Sequence, residues 1–95
     1  MAFEVVWTER AKAGFNQIVE YLEKHWTEKE VEQFVDQCFE FLELLKQHPE
    51  MLQKTNKYKN VHRGPLNKLT ILTYRVKPRK QQIQLINIRA AKQNR

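Results

Sequence analysis

The chain has no serine, and only one aspartate, one cysteine, two glycines and three prolines among 95 residues. Without serine there can be no serine nucleophile. Cys38 has no second cysteine to pair with, so there is no internal disulfide, which suits a reducing cytoplasm. Gly14 and Gly64 stand alone, so no glycine-rich loop is available to cradle phosphates. No apolar run approaches the roughly 20 residues that span a bilayer. Met1-Ala2-Phe3-Glu4 lacks the basic and apolar regions of a secretory signal. The expectation is a soluble cytoplasmic protein with no membrane partner.

Negative charge is missing from one half altogether. All 11 acidic residues lie between Glu4 and Glu50. Five bases in that half (Arg10, Lys12, Lys24, Lys29, Lys46) leave it at −6. Residues 51–95 hold twelve bases and no carboxylate, so they carry +12 of the total of +6. The second half therefore supplies neither the paired carboxylates of a glycosidase nor the ligands of a two-metal nuclease. The same split suggests a polyanionic partner for the basic half. His25, His48 and Cys38 lack metal-ligand spacing, so no metal and no cofactor are expected.

Periodicity outlines one domain, 1–95, whose core is thin because so short a chain buries only about two-thirds of its unfolded surface. Phe3, Val5 and Trp7 alternate as in a short strand. Thr8 caps a helix of residues 9–25, with Ala11, Phe15, Ile18, Leu22 and Trp26 as its apolar stripe. Thr27-Glu28-Lys29-Glu30 is a capping box opening a second helix. Its inward residues are Val31, Phe34, Val35, Cys38, Phe41, Leu42 and Leu45, and His48-Pro49 ends it. After a basic loop, 50–59, three strands are expected: 60–66, 69–76 and 82–89. Gly64-Pro65 marks a bulge or an edge, Asn67-Lys68 a turn, and Lys77-Pro78-Arg79-Lys80 a basic turn. In the last strand Ile83 and Leu85 share one face, and Ile86 and Ile88 are read as apolar on the other. The order β-α-α-β-β-β implies an α+β fold, a helix hairpin on one face of a mostly antiparallel sheet. Acids then fall on the outer helix faces, and bases on the free sheet face and its turns.

Two sets of residues could carry function. Lys54, Lys57, Lys59, Arg63, Lys68, Arg75, Lys77, Arg79, Lys80, Arg89 and Lys92 would bind phosphates through charge, with Tyr58 and Tyr74 placed to stack on unpaired bases. An acidic protein segment would be gripped equally well, and a merely solvated face is the plain alternative. The second set is chemical. RNA is cut without metal when its 2′-hydroxyl attacks the adjacent phosphate, which needs a base, an acid and positive charge on the phosphorane. His62 suits proton transfer, and Arg63, Arg75 and Arg89 suit charge stabilisation. The alternative is a His62 that simply alternates away from the core. Trp7 and Trp26 read as packing residues.

The chain resembles toxins of the RelE/ParE superfamily of bacterial type II toxin–antitoxin, or plasmid stabilisation, modules. The resemblance rests on Trp7-Thr8-Glu9-Arg10-Ala11, Ile18-Val19-Glu20-Tyr21-Leu22 and His48-Pro49-Glu50-Met51. It continues through Val61-His62-Arg63, Leu72-Thr73-Tyr74-Arg75-Val76, Ile83-Gln84-Leu85-Ile86-Asn87-Ile88 and Lys92-Gln93-Asn94. It implies the fold just read and a cognate antitoxin that lays an acidic segment over the basic face. It also implies contact with operator DNA through that antitoxin. RelE-like members cut messenger RNA on the ribosome without metal, whereas ParE-like members poison DNA gyrase. RelE-like enzymes carry an arginine early in the third strand, where this chain has Thr70 and Ile71, and a late catalytic tyrosine, whereas here no Tyr follows Tyr74. The expected function is thus a ParE-like growth inhibitor acting on gyrase or another essential target. The open alternatives are a ribosome-dependent endoribonuclease using Arg63, Arg75 and Arg89 with His62 or Lys59, and a non-toxic nucleic-acid-binding relative of the fold.

Overall fold

The computed structural model describes residues 2–91. The elements in chain order are β1 (Glu4–Trp7), α1 (Glu9–His25), α2 (Glu28–Gln47), β2 (Val61–Asn67), β3 (Thr70–Lys77) and β4 (Gln82–Ala90). Their order matches the sequence expectation, and Lys92 lies outside the described residues. The four strands form one sheet ordered β1-β4-β3-β2. β2–β3 and β3–β4 pair antiparallel, while β1–β4 pair parallel, so the sheet is mixed. The helix hairpin is the crossover that lets the first strand lie beside the last, since parallel neighbours cannot be joined by a tight turn.

Local chemistry fixes where the helices begin. The Thr8 hydroxyl accepts from the Ala11 amide at 3.1 Å and donates to the Leu85 carbonyl at 2.7 Å, so the cap of α1 is also its tether to β4. At α2 both arms of the capping box form: Glu30 N–H donates to the Thr27 hydroxyl at 3.2 Å and Thr27 N–H to the Glu30 carboxylate at 3.0 Å. The core is built from Ala11, Ile18 and Leu22 of α1, Val31, Phe34, Cys38, Leu42 and Leu45 of α2, and Leu72, Tyr74, Val76, Ile83, Leu85 and Ile88 of the sheet.

One strand face differs from the alternation expected. Ile88 is in the core, 1 % exposed, alongside Ile83 and Leu85 rather than opposite them. The register explains it: Tyr74 pairs with Leu85 but Thr73 with Asn87, which leaves Ile86 as an extra, bulged residue. A bulge inserts one residue and so shifts the phase of every later side chain. Gly64-Pro65 falls on the edge strand β2, with a register shift between Pro65 and Asn67. An edge tolerates a residue that cannot donate to a ladder.

Burial pushes the Cys38 thiol up to about 12 from its ordinary 9.0. It also raises Tyr74 above 10.0, with Glu50 adding to the rise and the Leu52 amide opposing it. Both acids are held neutral in the fold and ionise more readily when unfolded. Their contribution to stability is therefore complete below about pH 9 and is lost as the pH rises toward 12. The urea midpoint should hold from pH 7 to pH 8.5 and fall by pH 11; a midpoint unchanged at pH 11 would contradict this. Native Cys38 should also resist thiol reagents at pH 8 until denaturant is added.

Candidate functional site

With the helices covering one side of the sheet, the other side is open, and the register decides what stands on it. Arg63 pairs with Thr73, which pairs with Asn87. Val61 pairs with Arg75, and Arg75 with Gln84. Pro65 pairs with Ile71, and Ile71 with Arg89. Residues paired across strands share a face, so Arg63, Arg75 and Arg89 project from the same, open side. Arg63 and Arg75 are diagonal neighbours, about 7–8 Å apart at the backbone, and Arg89 stands one strand further on. Polar Thr73, Gln84 and Asn87 lie between them. These three were not singled out from sequence, and alternation within β3 and β4 was the signal that could have found them.

Charge is sorted by face. Nine of the 11 acids lie on α1 and α2. Among the described residues the two ion pairs, Lys12–Glu9 at 3.5 Å and Lys46–Glu43 at 2.9 Å, are both within helices. The arginines of the open face thus have no carboxylate partner among those residues, and the Nε of Arg75 is sheltered from solvent without an acceptor. A guanidinium fork held this way is a ready donor pair for a carboxylate or a phosphate.

The remaining basic residues extend the patch. Lys77 ends β3, and Arg79 and Lys80 lie in the exposed β3–β4 turn. Lys68 lies in the β2–β3 turn at the other end, roughly 23 Å away along the eight residues of β3. Lys54 bridges His62 from a segment running beside β2 and, with Arg63, Lys68 and Pro65, lines a groove of about 550 Å³. Lys57, Tyr58 and Lys59 are exposed in the loop before β2, with Tyr58 at 59 %.

Two sequence candidates are placed elsewhere. His62 is only 5 % exposed, on the helix side of the sheet, because its neighbour Arg63 takes the open side. Its Nδ1 lies 2.8 Å from the Leu52 carbonyl, and its ring stacks on Tyr74 with centroids 5.1 Å apart and planes 5° apart. A carbonyl only accepts, so Nδ1 carries the hydrogen. Tyr74 is fully buried; its hydroxyl donates to the Pro49 carbonyl at 2.7 Å and accepts from the Leu52 amide at 3.3 Å. Neither ring is positioned to stack on a base or to move a proton at the arginines. Together they fasten the 49–52 segment to the sheet. Tyr74→Phe should therefore cost about 1–3 kcal/mol, since it strands a buried carbonyl and amide. Urea denaturation checks it; a loss below 0.5 kcal/mol, a threshold set by the usual scatter of surface substitutions at roughly that size, would contradict it.

Among the described residues no three His, Cys, Asp or Glu side chains gather as a metal site, and no helix is long and apolar enough to cross a membrane.

A mixed four-stranded sheet with one helix-covered and one arginine-bearing face defines a class, and sequence comparison supplies the family. The family model of the ParE toxin of the type II toxin–antitoxin system parDE matches residues 5–95, and the chain belongs to that family. Among solved structures, it is similar to the chromosomal ParDE system from P. aeruginosa, at 18 % identity and a TM-score of 0.76, covering 96 % of this chain and 98 % of that one. It is also similar to the RelBE2 toxin–antitoxin complex from Mycobacterium tuberculosis (12 %, TM-score 0.65, 96 % and 93 %). The isolated RelE toxin of E. coli superposes less closely (17 %, TM-score 0.58, 98 % and 88 %). At such identities these likenesses speak to the fold. No curated protein matches the chain.

Proposed function

We propose that this protein is a ParE-like toxin that arrests growth by binding an essential target, DNA gyrase, in the cytoplasm, without cutting RNA. A cognate antitoxin neutralises it by laying an acidic segment over the open arginine face, and carries the complex to operator DNA. The observation that supports a binder over a nuclease is the placement of His62 and Tyr74. Both rings lie on the helix side of the sheet, so Arg63, Arg75 and Arg89 have positive charge beside them but neither His62, the proton-transfer candidate of the strands, nor the Tyr74 ring, the stacking candidate. Arginine stays protonated in proteins and stabilises charge without acting as a base.

Induced expression without the adjoining gene tests this. Growth should stop, DNA supercoiling should fall, and transcript ends should be unchanged. New in-frame cuts in messenger RNA would favour the nuclease reading, and unimpaired growth would sink both.

A further inference from the structure

We propose that the groove along the edge strand β2 binds a free nucleoside polyphosphate, with the phosphates on Lys54, Arg63 and Lys68 and the base over Pro65 and Ile71. This goes beyond the toxin reading and does not depend on it.

A proline opens the groove. On the outer edge of β2 the Val61 carbonyl accepts from the Thr55 amide at 2.8 Å, and the Arg63 amide donates to the Gln53 carbonyl at 2.9 Å. The next position facing that edge is Pro65, which has no N–H to donate. Pairing therefore stops at Gln53. The chain before it is held on the helix side, where the Leu52 amide donates to the buried Tyr74 hydroxyl at 3.3 Å. Pro65 and its cross-strand partner Ile71 are left uncovered on the open face.

The dimensions suit one small molecule. The groove is bounded by Lys54 and Thr55 at one end and by Lys68 of the β2–β3 turn at the other. From Arg63 to Asn67, where β2 ends, is roughly 13 Å. The volume of about 550 Å³ falls among small-molecule sites, which run from about 300 to 1,000 Å³. A nucleic-acid strand would need a track open at both ends.

The lining has two halves of different chemistry. Pro65 and Ile71 form an apolar floor that a flat ring can cover. Around it stand three cations and no acid. None of the three has a carboxylate within ion-pair distance among the described residues. The Arg63 fork can take two phosphate oxygens at once. The Thr55 hydroxyl is shielded from solvent without a hydrogen-bond partner, so it is free to donate to another. Three cations around one short groove match a chain of phosphates better than a single one.

Equilibrium dialysis of the full chain against labelled ATP tests this, with AMP, tripolyphosphate and a short oligo(dT) as comparison probes. ATP should bind. AMP and tripolyphosphate should each bind at least tenfold more weakly, because each lacks one half of the contact. Lys54→Glu/Lys68→Glu should weaken ATP binding at least tenfold. Lys24→Glu/Lys29→Glu, the same charge change on the helices, should leave it within twofold. Ile71→Ala should weaken ATP but not tripolyphosphate. The lysine variants alter exposed side chains only and should melt with the parent. No ATP retained at about 1 mM overturns the proposal, and so does parent affinity in Lys54→Glu/Lys68→Glu. Equal loss in the two lysine pairs, or tripolyphosphate binding as tightly as ATP, overturns it by reducing the groove to a general polyanion patch. Oligo(dT) binding more tightly than ATP and weakened by Lys54→Glu/Lys68→Glu overturns it in favour of a nucleic-acid strand.

Discussion

Gly14→Ala should lower stability by about 1–3 kcal/mol, although alanine is the better helix former by about 0.5–1 kcal/mol. The reason is the approach of α1 to the sheet. A Cβ built at Gly14 would run into the backbone carbonyl of Ile88, whose carbon lies 3.1 Å away. A strand carbonyl cannot rotate aside as a side chain can, so the helix must lift from β4. That lift would disturb the packing of Ala11, Ile18 and Leu22, the buried residues of α1. For a domain of this size the melting temperature should fall by roughly 5–15 °C. Larger residues at position 14 should prevent folding. Gly64→Ala serves as the control, because its Cβ would meet the Leu52 side chain, nearest at a terminal methyl 3.1 Å away, and a flexible side chain can move. If Gly14→Ala melts at or above the parent, the close approach of α1 to β4 is wrong.

The second large effect concerns the open face. Arg63→Ala and Arg75→Ala should each weaken target binding by about 1.5–3 kcal/mol, the range for hydrogen bonds to charged groups, or some tenfold to 150-fold. As the two positions are diagonal neighbours their effects need not add, but the double variant should abolish growth arrest. The fold should survive, since neither arginine has a carboxylate partner among the described residues. Arg63→Lys separates charge from geometry: it keeps the cation but loses the planar fork, so a bidentate contact predicts a partial loss. Plating efficiency under induction and circular dichroism of the purified variants check both halves. Full toxicity of the double variant would remove the face from the mechanism.

These two predictions differ in how far the sequence announced them. The helix starts were legible because capping is local: Thr8 and Thr27 act on amides three residues away. The clustering of Arg63, Arg75 and Arg89 was legible in outline, because strand alternation and a one-sided helix hairpin leave a single face for exposed bases. The positions of His62 and Tyr74 were not. Tyr74 was read as a stacking platform because a tyrosine among bases suggests one, yet its hydroxyl serves Pro49, 25 residues away in the chain. No local pattern records such a bond. Ile88 was missed for a similar reason, since the bulge at Ile86 is set by pairing with β3 and period-two counting passes over it. Gly14 was noted only as an isolated glycine. That α1 touches β4 there is a tertiary fact.

The charge asymmetry has a clearer meaning in three dimensions. The acid-free half builds three of the four strands, so the excess charge of its described residues lies on the open sheet face, the groove beside β2, the loop before it and the turns at both ends. Nine of the 11 acids line the helices on the opposite side. A target or an antitoxin approaching in solution would be oriented by this separation before any contact forms, more strongly at low salt than at high.

A supercoiling assay with the purified chain and purified DNA gyrase tests the functional account most directly. The chain should inhibit supercoiling in proportion to its concentration, the Arg63→Ala/Arg75→Ala variant should not, and the purified antitoxin should restore activity. Gyrase that supercoils at its full rate under excess toxin, together with in-frame cleavage of messenger RNA on added ribosomes, would contradict the account and return the arginine face to nuclease chemistry.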